Sequence, residues 1–293
     1  MKVLLSGAGG FVGSAIREHL RLHGHDVLRM VRRERRQDDE VQWDPVTGRL
    51  LPGWPRGCQA VIHLAGENIA GIWTDRKKAA IRSSRVDATG ALCQYISRLE
   101  SPPVAFLCAS AVGYYGDRGD DILSEAQPPG GSFLAGVCRD WEAATAVLAA
   151  RQVRAVNMRL GIVLGRGGGA LKMMLRPFRL CMGGKLGDGR QYMSWISLRD
   201  VCRAADFCME NAGVSGPVNF TSPQPVTNAE FVRTLGRVLR RPALCRMPAW
   251  LARAALGELA DEILASVRAV PDKLISSGFR FDHADLEKAL REK

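Results

Sequence analysis

The chain has 293 residues, 46% hydrophobic and 24% charged, a balance that buries a sizeable core in one large domain or two coupled ones and excludes a disordered or low-complexity chain. Its formal net charge of +11, concentrated at Arg32, Arg33, Arg35, Arg36, Arg237, Arg240, Arg241 and Arg246, suits an anionic small ligand; no zinc-finger, helix-turn-helix or RNA-recognition signature accompanies it, so no nucleic-acid partner is expected. No apolar stretch approaches the roughly 18 residues of a membrane span, and the eight cysteines lack CxxC spacing, which predicts a soluble cytoplasmic protein with reduced thiols and no bound metal.

Lys2–Ser6 is a short apolar run that ends in glycines, a buried strand rather than a signal peptide. Phe11–Leu22 places Val12, Ala15, Ile16 and Leu20 at helical spacing, and Gly24 ends that helix. Asp26–Val31 and residues 60–64 read as further strands, 75–99 as a long helix, 104–110 as a strand, 133–150 as a helix and 153–160 as a strand. Strands that alternate with helices and are apolar on both faces require a parallel sheet covered on both sides. The expected fold is α/β, a Rossmann-type doubly wound sheet over residues 1–164, with a returning segment at about 197–221. Residues 165–196 and 222–293 are expected to form a smaller, mostly helical substrate lobe. It contains two glycine-rich stretches and a T-x-x-E capping box at Thr227 and Glu230.

Gly7-Ala8-Gly9-Gly10-Phe11-Val12-Gly13 lies between the first strand and the first helix. Glycines at this spacing let the backbone turn tightly and approach a pyrophosphate, which meets the free N–H groups and positive dipole of the helix start. The second strand ends in Arg32 and Arg33, where an acid would select the 2′-hydroxyl of NAD. Guanidinium groups there favour a 2′-phosphate, hence NADP; a basic loop tip is the plainer alternative.

These residues, with Gly66-Glu67-Asn68-Ile69, Ser84-Arg85, the run from Ser110 to Gly116, Trp141-Glu142 and Arg159-Leu160-Gly161, resemble the extended short-chain dehydrogenase/reductases. Within them the chain resembles the predicted nucleoside-diphosphate-sugar epimerase family, an atypical branch with a C-terminal helical domain. The resemblance implies cofactor contacts from Leu64, Ala65, Gly66, Glu67, Arg85, Ser110, Arg159 and Gly161. It implies a small-molecule substrate such as a sugar nucleotide, and a substrate-polarising Ser110. The superfamily's Tyr-x-x-x-Lys pair is missing: Leu134 and Cys138 stand at those positions, and Arg85 replaces the helix Asn of the proton relay. Leucine cannot exchange a proton. Tyr114 or Tyr115 is then the candidate acid beside Ser110, with packing or substrate stacking as the alternative. Cys138 reads as a reactive thiol or a small buried hydrophobe. Two functions stay open, an NADP-dependent oxidoreductase or epimerase with a non-standard proton donor, and a non-catalytic module that binds or senses NADP(H).

Overall fold

A computed structural model describes residues 1–165 and 167–292. Its central sheet uses eight strands: β1 (Lys2–Ser6), β2 (Asp26–Val31), β3 (Glu40–Trp43), β4 (Leu50–Leu51), β5 (Cys58–His63), β6 (Ala105–Ala111), β7 (Arg154–Leu160) and β8 (Gly216–Phe220). Across the sheet they run β8-β7-β6-β5-β1-β2-β3-β4, all parallel except β4, which pairs antiparallel with β3. The chain winds outward from β1 to β3 and then returns to start β5 on the other side of β1. That reversal opens a crevice at the carboxyl ends of β1 and β5, where doubly wound sheets bind ligands.

Both faces of the sheet are buried, as their continuous apolar strands require. Val3 and Leu5 point to one face and Leu4 to the other, and all three are fully buried. On the first face they meet Ile16 and Leu20 of α1 (Phe11–Leu22), together with Val201, Ala204, Ala205 and Cys208. On the second, Leu4, Val61 and Phe106 pack against Leu92, Cys93, Ile96 and Trp141. The helical run at 75–99 divides into α2 (Asp75–Arg82), one turn of π-helix over Ser83–Asp87, and α3 (Ala88–Ser97). The run at 133–150 gives α4 (Phe133–Ala143) and a 3-10 turn over Ala146–Arg151.

Beyond β7 come α5 (Gly169–Arg179), α6 (Leu198–Glu210), α7 (Asn228–Leu239), α8 (Ala249–Leu256) and α9 (Leu259–Leu264). α6 lies on the first face beside α1, while Leu171 and Phe178 of α5 join Trp195, Phe231, Leu235 and Leu290 in a separate apolar cluster. The capping box at Thr227 and Glu230 forms and starts α7. The glycines at 165, 168 and 169 are there for Phe11: a Cβ at each would stand within 3 Å of its ring. No helix among the described residues is long and apolar enough to cross a membrane.

Candidate functional site

The glycine loop is built as a cradle. Gly7 adopts φ +68°, which leaves room only for glycine, and its carbonyl accepts the Gly10 N–H at 2.9 Å. A Cβ on Gly13 would lie 2.1 Å from that same carbonyl oxygen, so α1 seats directly on the turn. α1 has no side-chain cap, whereas Thr74, Ser132, Ser197 and Thr227 cap α2, α4, α6 and α7. The first N–H groups of α1 therefore face the crevice without an internal acceptor, and a helix start in that condition binds phosphate. Ser6 fixes the opposite wall. Its Oγ accepts the N–H groups of Leu64 and Ala65 at 3.0 and 3.1 Å and shares a hydrogen bond with Nδ1 of the buried His63 at 2.8 Å. Leu64, Ala65, Gly66 and Glu67 thus leave β5 beside the glycine turn. The residues fit a dinucleotide pyrophosphate.

At the end of β2 the two expected arginines diverge. Arg33 makes a two-pronged ion pair with Glu40, at 2.6 and 2.9 Å. Arg29 and Arg21 hold Asp39, and Arg35 holds Asp38. Hydrogen bonds from Arg33 and from the Arg36 backbone keep the Glu40 carboxyl at about 2. Among the described residues no carboxylate pairs with the side chains of Arg32 or Arg36, and both are exposed. Arg32 stands close enough to Glu67 to help hold its carboxyl below the ordinary range, chiefly the work of Lys77 at 2.7 Å.

Ser110, near the end of β6, donates to Glu142 Oε1 at 2.7 Å. Arg159 grips the same carboxylate with two bonds of 2.8 Å, giving a buried Ser110–Glu142–Arg159 chain. A two-pronged guanidinium–carboxylate pair fixes position as well as charge. Arg159 also donates to the Tyr115 hydroxyl at 2.9 Å and lies 3.5 Å from the centre of the Tyr114 ring. Arg159 is only 2% exposed, so it organises the site from behind and is not the cofactor contact expected. Tyr115 is likewise corrected. It is fully buried, its hydroxyl donates to Asn219 at 2.7 Å, and burial pushes its phenol up to about 12. Tyr114 is half-buried, and its hydroxyl has no hydrogen-bond partner among the described residues. Glycine at Gly161 is demanded by the close approach of the Ser194 carbonyl, 2.7 Å from a Cβ placed there.

The missing Tyr and Lys positions are filled with apolar packing. Leu134 sits among Trp73, Ile81, Val137, Leu256 and Leu259, the last two from α8 and α9. Burial, with the nearby Glu142 charge, pushes the Cys138 thiol up to about 12, so it is a neutral buried group rather than a reactive thiolate. Arg85, on the π-helical turn, lies between Gly66 and Trp141: its Cζ would be 3.2 Å from a Cβ on Gly66 and is 5.3 Å from the Trp141 ring. Single π turns of this kind recur at functional sites.

The comparisons with known proteins agree with this geometry. The NAD dependent epimerase/dehydratase family matches residues 3–220, and a domain of unknown function, DUF1731, matches 247–292. The chain belongs to the NAD dependent epimerase/dehydratase family. It is 41% identical to an epimerase family protein of Mycobacterium bovis over 98% of this chain and 96% of that one. The crystal structure of human epimerase family protein SDR39U1 with NADPH superposes with a TM-score of 0.93 at 32% identity, covering 99% of this chain and 98% of that one. A Thermotoga maritima UDP-glucose 4-epimerase with UDP-glucose, 16% identical, has a TM-score of 0.76 over 99% of this chain and 96% of that one, a likeness of fold alone.

Among the expected site residues, Gly7 lies against Leu64 and Ala65, and Gly66 against Arg85, while Ser110 stands near the end of β6, the strand beside β5. In the sequence Glu142 carries only the family resemblance; in the fold it accepts the Ser110 hydrogen bond. Glu262 of α9 carries no motif in the sequence. Its carboxylate faces the Ser132 hydroxyl and the Leu134 N–H, and burial raises it above the ordinary range. No linear signal places it there, because it arrives from 120 residues beyond Glu142.

Proposed function

We propose that this epimerase family member binds NADP(H) and, when it turns over, moves the substrate proton through Ser110 and Glu142 in place of the missing tyrosine. The observation that carries the reading is the chain Ser110–Glu142–Arg159, which puts a hydrogen-bonded carboxylate directly behind the serine that the superfamily uses to polarise substrate. In this reading Gly7, Gly9, Gly10, Phe11, Val12 and Gly13 cradle the pyrophosphate. Leu64, Ala65, Gly66, Glu67 and Arg85 border the dinucleotide, and Arg32 meets the 2′-phosphate. Bound NADP(H) supplies or accepts the hydride. As a substrate hydroxyl is oxidised, its proton passes to Ser110 Oγ while the serine's own proton moves to Glu142. Reduction runs the same path backwards. Tyr114 presents its phenol to the substrate, and the cluster around α5 and α7 with α8 and α9 forms the substrate lobe. The substrate is a small molecule with an oxidisable hydroxyl, of the sugar-nucleotide class.

The test is a calorimetric titration with NADPH and NADH, followed by a screen of sugar nucleotides that monitors nicotinamide absorbance. Tighter NADPH binding and turnover that collapses in Ser110→Ala support the reading; equal affinities, or full turnover in Ser110→Ala, overturn it. A second reading rests on the packing of Leu134 under Leu256 and Leu259, which closes the region where the tyrosine would act. A closed site suits a module that binds NADP(H) without chemistry, and tight NADPH binding with no turnover of any candidate would select it.

A further inference from the structure

Three of the five histidines lie within seven positions at the end of α1, His19, His23 and His25, and the dinucleotide reading uses none of them. Facing them from α6 are Asp206 and Glu210. His19 Nε2 is 3.2 Å from Asp206 Oδ2, and one ring nitrogen each of His19 and His23 and an Asp206 oxygen all lie within 4.8 Å of one another. We propose that His19, His23 and Asp206 bind a divalent transition cation of the zinc class, which clips the end of α1 to α6.

The hydrogen bonds around the cluster set it up for coordination. His23 donates its Nδ1–H to the His19 carbonyl at 2.8 Å, which leaves the lone pair on Nε2. Metal-bound histidines characteristically donate their other ring N–H in this way. The Met1 nitrogen donates to His25 Nδ1 at 3.1 Å, so His25 carries its proton on Nε2. That nitrogen lies 3.2 Å from Asp206 Oδ1, which turns Oδ2 towards His19, and 3.7 Å from Glu210 Oε1. Asp206 Oδ1 is a buried oxygen without a well-formed hydrogen bond. The spacing also suits the ion. Tetrahedral zinc with bonds of about 2.0 Å separates its ligand atoms by about 3.3 Å, and His19 Nε2 and Asp206 Oδ2 already stand 3.2 Å apart. His19, in the last turn of α1, and His23, its C-cap, are four residues apart, the spacing at which two imidazoles reach one ion; their rings stack 4.0 Å apart, so the ion requires one of them to rotate. A groove of about 390 Å³ borders His19, His23 and Asp206 and gives water access to a fourth position. The nearby Arg203 opposes a cation, and its charge is already taken up by Asp282 at 2.8 Å and Asp200 at 3.3 Å.

The test uses the untagged full chain, stripped with chelator and titrated with zinc chloride by calorimetry. One zinc per chain is expected, with thermal stability rising on addition and an anomalous-scattering peak beside Asp206. His23→Ala, an exposed position, and His19→Gln should each weaken zinc by at least about tenfold. NADPH affinity should stay unchanged in His23→Ala, so a failure here is distinct from a failure of the dinucleotide site. No zinc uptake, or uptake of equal affinity in His23→Ala, overturns the proposal; an ion held instead at the exposed Cys181 or Cys245 produces the latter result.

Discussion

In the proposed function Arg32, and not Arg33, selects NADPH, because the acids at positions 38–40 already hold its neighbours. Arg32→Ala should weaken NADPH by about 1.5–3 kcal/mol, the range for a hydrogen bond to a charged group, and leave NADH nearly unchanged. Arg33→Ala should cost less NADPH affinity and should instead loosen the loop, because it strips Glu40 of its main partner. Isothermal titration of both variants with both cofactors checks this, and an equal loss in the two would remove the distinction. The sequence makes Arg32 and Arg33 look interchangeable. Only the fold brings Glu40 back to Arg33, and no linear pattern carries that pairing. The same holds for Tyr114 and Tyr115, adjacent in sequence but differing in burial because the chain makes a tight turn after β6. His63 supports a second residue-scale prediction. Burial depresses its imidazole from 6.5 to about 4. The unfolded chain therefore takes up a proton between those pH values that the folded chain refuses. Stability is fully present above pH 6.5 and is lost as pH falls towards 4, by on the order of 3 kcal/mol for this group. The His63 ring should stay neutral to about pH 4 by NMR, and His63→Asn should flatten the pH dependence of the urea midpoint in that window. A His63 titration near 6.5 would contradict the buried environment.

At the scale of elements, the glycine turn separates folding from binding. Gly13→Ala should destabilise the protein by about 3 kcal/mol or more, because its Cβ would lie 2.1 Å from the Gly7 carbonyl oxygen and backbone must move. At Gly9 a Cβ meets nothing within 4 Å, so Gly9→Ala should melt like the parent. Any NADPH affinity lost in Gly9→Ala then reports the approach of a phosphate to the loop. Thermal melts with and without NADPH measure both; a Gly9→Ala protein with unaltered NADPH affinity would show that the loop serves only as a turn. The strands that form the crevice were legible because each is a continuous apolar run ended by glycine or small residues. β3 and β4 were not, since β3 carries Glu40 and Gln42 within four residues and β4 has only two residues. The π turn at Ser83–Asp87 was hidden for a different reason. An extra residue in one helical turn shifts the apolar face without breaking its run, so 75–99 reads as one helix.

At the scale of the whole molecule, the proposed function requires a substrate to reach Ser110 although α8 and α9 cover α4. Leu256 and Leu259 press on the cluster around Leu134, and Lys78 pairs with Glu258 at the surface. The outer face of this cover is lightly held: Trp250, Leu251 and Ile263 are 69%, 42% and 38% exposed. Segments with few buried apolar contacts open locally, well below the free energy of global unfolding. The central sheet is the opposite case, with β1, β5 and β6 enclosed on both faces. The molecule should therefore open at α8 and α9 while the sheet stays intact, which admits substrate without unfolding the cofactor site. Leu259→Ala removes the main apolar anchor of the cover. It should lower the local opening free energy by about 2–3 kcal/mol, which speeds amide exchange across Leu259–Leu264 by roughly 30- to 150-fold. Exchange in β1 and β5 should stay as in the parent, and NADPH affinity should be kept. If the protein is an enzyme limited by access, turnover in Leu259→Ala should rise; if the cover instead orders the site through Glu262, turnover should fall while exchange still accelerates. Uniformly faster exchange through the central sheet would show that α8 and α9 belong to one cooperative unit with it, and that substrate enters by another route.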